Sequence, residues 1–131
     1  MHTTNYQNTL ILPAEDCKTQ TAIVPPKAGS VAAVQYDVLG QGGMTGDDIL
    51  VAVTGIRRDI APDEWDALRA EIFAKGQPCL RTSPLVKTHG WAVYHDAQAH
   101  VSLVDPASAQ FAQLLADPAV TKVKGMRSTR K

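Results

Sequence analysis

At 131 residues, 44% apolar and 20% charged, the chain is one ordinary globular domain, long enough to bury a core without disulfides or metal, and its make-up excludes a disordered segment. The formal charge is zero, but five of the 13 basic residues fall in the last ten, "KVKGMRSTRK", so residues 1–121 carry a net of −5. No apolar run approaches the roughly 18 residues of a membrane span, and "MHTTNYQNTL" lacks the basic and apolar regions of a signal peptide.

Two cysteines, Cys17 and Cys79, stand far apart and suit a reducing compartment, so a cytoplasmic protein with free thiols is expected. "TLILP" reads as a first strand, stopped by Pro13, and Pro25-Pro26 excludes regular structure from the connection that follows. "SVAAVQYDVLGQGG" fits both a helix and a strand; Ser30 as cap and Gly40 at the end favour the helix. "GQGGMTGDD" is expected to be a flexible loop without the spacing of a phosphate cradle. "ILVAVTGI" is a near-continuous apolar run with β-branched residues, the pattern of a buried central strand.

"PDEWDALRAEIFAKG" is the clearest helix, with Pro62 in its first turn, Gly76 past its end, and Trp65, Leu68, Ile72 and Phe73 as its inner stripe. A short helix capped by Thr82 or Ser83 follows, then two strands, "GWAVYHD" and "AHVSLVD". A helix capped by Asp105 with Phe111, Leu114 and Leu115 inward comes next, and "VTKVKGM" closes as a strand. The order β-α-β-α-α-β-β-α-β predicts one α+β domain over 1–131, a sandwich of a mostly antiparallel sheet with three to four helices, ending in a short basic segment, 122–131.

The stretch "KGQPCLRTSPLVKTHGW" concentrates the chemistry-bearing residue types. Local structure explains several of them: Ser83 and Pro84 start a helix, Gly76 and Gly90 end two, and Trp91 opens a strand. Cys79 is the candidate nucleophile, with Lys75, Arg81 and the helix start as sources of positive potential, against the reading of a structural buried cysteine. His89 sits at the far end of the short helix, on the order of 10 Å away, too far to serve Cys79 as a base. Arg81 and Lys87 beside the helix start form a candidate anion site, against the reading of two solvated side chains. His95 and His100 flank "HDAQAH"; a four-residue loop would set them face to face as a metal pair, but no further ligand is visible and two histidines near a turn are usually exposed polar residues. The acids Asp47, Asp48, Asp63 and Glu64 fall at element starts, where capping and dipole effects account for them.

The blocks "HTTNYQNTLILPAEDC", "KGQPCLRTSPLVKTHGW" and "KVKGMRSTRK" together resemble a small bacterial family of uncharacterised proteins over nearly the whole chain. The resemblance implies no reaction, substrate or cofactor. It directs attention to the matching positions Asn5, Tyr6, Asn8, Lys75, Gln77, Cys79, Arg81, Ser83, Lys87, Trp91, Arg127 and Ser128.

The expected function is a cytoplasmic binding module for an anionic small molecule or a nucleic-acid backbone, using Asn5, Tyr6, Gln77, Arg81, Ser83, Lys87 and Arg127, with no cofactor and no membrane partner. Nucleic-acid contact would be weak and non-specific, since the basic tail lacks interleaved aromatics. Two alternatives stand beside it: a small enzyme with Cys79 as nucleophile, and an interaction protein that forms a homodimer through a sheet edge.

Overall fold

The computed structural model describes residues 3–19, 21–77 and 79–126. Among these residues there are four strands, β1 (Thr9–Leu12), β2 (Ala92–His95), β3 (Val101–Val104) and β4 (Thr121–Lys124), and five α-helices. The helices are α1 (Val31–Gln41), α2 (Gly46–Arg57), α3 (Trp65–Ile72), α4 (Pro84–Lys87) and α5 (Ala109–Ala116). The sheet runs β3-β2-β1-β4. β2 pairs antiparallel with both β1 and β3, while β4 lies parallel to β1, so the fold is α+β with a mostly antiparallel sheet.

β1 is central, and Leu10 and Ile11 are both 0% exposed because each face of the sheet is covered. Ile11, Val93 and Val101 pack against α1, α2 and α4, whereas Leu10, Ala92 and Val104 pack against Phe111 and Leu114 of α5. A third cluster, Val51, Leu68, Ile72 and Phe73, joins α2 to α3.

Several expectations are corrected. "ILVAVTGI" is not a strand but the body of α2, buried on nearly every side at Ile49, Val51, Ala52, Val53 and Gly55, which is why it shows no polar stripe. The end of the supposed loop is the start of that helix: Thr45 and Asp48 form a reciprocal capping box. Gly55 is required there, because a Cβ would lie 2.3 Å from the Trp65 Nε1.

The helix after β3 begins later than expected, capped by Ser108, while Asp105 instead accepts from the Ala107 N–H within the preceding turn. Phe111 and Leu114 face inward as expected, but Leu115 is 46% exposed.

The β2–β3 turn is one residue longer than a metal pair needs. Asp96 accepts the Gln98 and His100 N–H groups through its side chain, and Ala99 takes a left-handed φ of 64°. His95 therefore pairs with Val101, not His100, and the two imidazoles do not face each other. Among the described residues no group of three or more His, Cys, Asp or Glu is placed to hold a metal ion.

Candidate functional site

The site is built from the N-terminal segment and the start of α2. Asp47, 8% exposed, accepts from Thr3 Oγ1 at 2.6 Å and from Thr4 N and Oγ1 at 2.6 and 2.7 Å. Asn5 Oδ1 returns the favour to the helix by accepting the Asp47 N–H at 2.9 Å. This polar clip takes up one free N–H of the helix start, that of Asp47, and the carboxylate that its dipole favours. Gly46 allows the close approach, since a Cβ would lie 3.3 Å from the Thr4 carbonyl.

The clip delivers Tyr6, half-buried, against the main core cluster. Its hydroxyl lies 3.2 Å from Cys79 Sγ, and its ring meets His95 edge-on at 5.2 Å and 76°. Cys79 precedes a 3₁₀ turn, Leu80–Thr82, whose Thr82 N–H and hydroxyl both donate to the Cys79 carbonyl. Arg81, in the same turn, donates from Nε to the Lys124 carbonyl at 2.7 Å and accepts the Met126 N–H on its own carbonyl. Hydrogen bonding to Cys79 and burial push the Tyr6 phenol above its ordinary pKa, and the nearby Arg81 charge opposes them.

Beside this cluster lies a hollow of about 100 Å³, walled by Thr4, Gln35, Gly46, Ile49, Cys79 and Thr82, among others. Its polar atoms belong to neutral side chains, with a thiol at one wall. His95 lies under Tyr6, 0% exposed, with neither ring nitrogen hydrogen-bonded among the described residues. Burial lowers its pKa to about 4 against a partial opposing pull from Asp96.

The other expected site residues divide sharply. Gln77 closes α3, its Nε2 donating to the Ile72 carbonyl at 2.8 Å. Ser83 is 2% exposed, caps α4 at Leu85 N and donates to Gln35 Oε1. Lys87 stands in the last turn of α4 and is not among the residues walling the hollow. His89 turns its Nδ1 toward the Pro84 carbonyl and the Thr88 hydroxyl, at the closing end of α4 rather than toward Cys79. Arg127 and Ser128 lie outside the described residues. Thus Tyr6, Cys79 and Arg81 converge, Asn5 and Ser83 support them from behind, and Gln77 and Lys87 do other work.

Thr4, Gln35 and His95's partnership with Tyr6 were missed as site features from the sequence. Their sole signal was indirect, in the "HTTNY" block for Thr4; Gln35 looks like any polar helix residue until α1 is packed on α4.

The chain belongs to a family of unknown function, DUF6157, whose model matches residues 1–131. Comparison with curated proteins and with solved structures gives no match. Among the described residues no helix is long and apolar enough to cross a membrane.

Proposed function

We propose that this DUF6157 member is a cytoplasmic binding module for a small anionic molecule, with Arg81 as the charged anchor, Tyr6 and Cys79 as polar contacts, and the neighbouring hollow as the seat for the ligand's non-ionic part. The observation that carries it is the convergence of Tyr6 Oη on Cys79 Sγ at 3.2 Å, within the influence of the Arg81 charge, beside a cavity. Arg81 spends Nε on Lys124 O, which orients the guanidinium while its terminal nitrogens retain donors for a carboxylate or phosphate. At about 100 Å³ the hollow is well below the roughly 300 Å³ at which ordinary ligand pockets begin, so it suits a group of a few heavy atoms rather than a nucleoside. That size favours a small molecule over a nucleic-acid backbone.

Thermal-shift titration with acetate, oxalate, inorganic phosphate and pyrophosphate tests this reading. At least one is expected to raise the unfolding temperature of the native chain and to lose that effect in Arg81→Ala. Equal shifts in the native chain and in Arg81→Ala would remove Arg81 as anchor.

A second reading, thiol catalysis at Cys79, is favoured by one observation: the thiol both lines the hollow and meets a phenol. Iodoacetamide labelling as a function of pH decides it. An activated Cys79 labels with a midpoint well below the ordinary thiol value of about 8.5 and shifts in Tyr6→Phe; an ordinary midpoint, unaltered in Tyr6→Phe, removes the catalytic reading.

A further inference from the structure

We propose that a second hollow, on the opposite flank of α2 between the end of α1 and α3, is a binding site for a small organic cation, an ammonium or guanidinium group carried on an apolar body. This site is independent of the one at Cys79. Its volume is about 280 Å³, close to the lower end of ordinary ligand pockets at roughly 300 Å³. Val38, Met44, Ala52, Ile56 and Trp65 give it an apolar wall, and Asp66 stands in the same wall.

The charges decide the ligand's sign. Arg69 and Asp48 also line the hollow, but they satisfy each other: Arg69 Nη2 donates to Asp48 Oδ1 at 2.5 Å, and Asp48 Oδ2 accepts the Thr45 N–H at 3.0 Å. With that pair neutralised, Asp66 leaves one net negative charge in the wall, and among the described residues no cation pairs with it. Asp63 and Glu64, exposed in the 3₁₀ turn Pro62–Glu64 beside the wall residues Pro62 and Trp65, add potential of the same sign. α2 ends in Arg57 and is capped by Arg58, which is held by Glu71 at 3.8 Å; neither arginine lines the hollow. Residues 1–121 as a whole carry a net of −5. An anion entering this hollow would meet uncompensated carboxylate; a cation neutralises it.

The aromatic wall suits the same class of ligand. Trp65 is fixed on both sides, its Nε1 donating to the Ile60 carbonyl at 3.0 Å and its ring seated against Gly55. An immobilised indole offers a cation an attractive face at little entropic cost. The apolar floor takes the ligand's hydrocarbon part, so the site discriminates an organic ammonium from a bare metal ion, which would find too few oxygen ligands here.

Benzylamine, with phenylacetate and benzyl alcohol as matched anionic and neutral probes, tests the proposal on the full chain. The indole N–H resonance of Trp65 reports binding, with that of Trp91 as the internal reference. Benzylamine is expected to shift the Trp65 signal saturably in the millimolar range and to bind about fivefold more tightly than phenylacetate. Asp66→Asn should bring its affinity down to that of benzyl alcohol, and Ala52→Leu, which fills the floor, should abolish binding of all three. Should Ala52→Leu disturb the packing, Ile56→Lys keeps the test open, because Ile56 is 49% exposed and a cation there repels the amine without entering the core. No saturable shift with benzylamine, equal or tighter binding of phenylacetate, or undiminished amine binding in Ile56→Lys would each overturn it.

Discussion

The two hollows flanking α2 are held open by opposite means. On the Cys79 side the wall is a polar clip: Asp47 grips Thr3 and Thr4, Asn5 caps Asp47, and Tyr6 is carried onto Cys79. On the Trp65 side it is packing: the indole lies on Gly55, and Leu68, Ile72 and Phe73 lock α3 to α2. A polar wall spends its own functional groups. Asn5, Gln77 and Ser83 are all engaged in capping, which leaves Tyr6, Cys79 and Arg81 as the groups proposed to meet a ligand. An apolar wall consumes none, so in the proposed site one carboxylate, Asp66, with no paired cation among the described residues, suffices to give the larger hollow a chemical preference.

That contrast can be broken from either side. The largest effect is expected from Asp47→Ala, which strands the buried Thr4 N–H and hydroxyl and releases the clip; denaturant unfolding should lose about 4 kcal/mol. Cys79 should then alkylate faster while benzylamine binding at Trp65 persists.

Acidification comes next. His95 titrates near 6.5 when unfolded and at about 4 in the fold, so the unfolded chain takes up the proton first as pH falls. Stability from this group is complete above about pH 6.5, declines toward pH 4 and is then lost, about 3 kcal/mol in all. Unfolding midpoints measured across that window should show the decline, and His95→Leu should flatten this part of it.

On the other side, Gly55→Ala drives a Cβ into the Trp65 indole and should cost about 2 kcal/mol, with altered Trp65 fluorescence and an unchanged Cys79 labelling rate. A changed labelling rate would show that the two flanks of α2 are not independent.

The smallest effect is Tyr6→Phe, which removes one hydroxyl bond at a part-buried site and should cost no more than about 1 kcal/mol. Conversely, Cys79→Ala should let the Tyr6 phenol titrate closer to its ordinary value in an ultraviolet pH titration, because the Cys79 bond is the main cause raising it.

Much of the fold was legible because local signals and tertiary structure agreed. Ser30 caps α1, Ser83 caps α4 with Pro84 at its first position, and the strands at 92–95 and 101–104 pair as a hairpin. α2 imitates a strand in the sequence because a helix buried over most of its surface, and apolar even where Ile56 is exposed, has no clear polar stripe, and β-branched content then dominates; the Thr45–Asp48 capping box, also in the sequence, is the better guide. The His95–His100 pairing failed on a single residue of turn length, which hydrophobic alternation alone does not specify.

For the candidate site, sequence reading found the members but not their roles. It singled out Tyr6, Cys79 and Arg81 together with residues that prove to be caps, and it had no means of seeing Thr4, Gln35, Trp65 and Asp66 as walls of two cavities. Alone, the sequence determined the class of fold, the caps of α1 and α4, the acidic body with its basic end, and the family, because each is written in composition or in contacts spanning a few residues. Only the tertiary structure decided that α2 is a helix flanked by two hollows, that Tyr6 reaches Cys79 across 73 positions, and that His95 is sealed beneath it. Those outcomes depend on which buried surfaces meet, and packing of distant segments overrides the preference of any one of them.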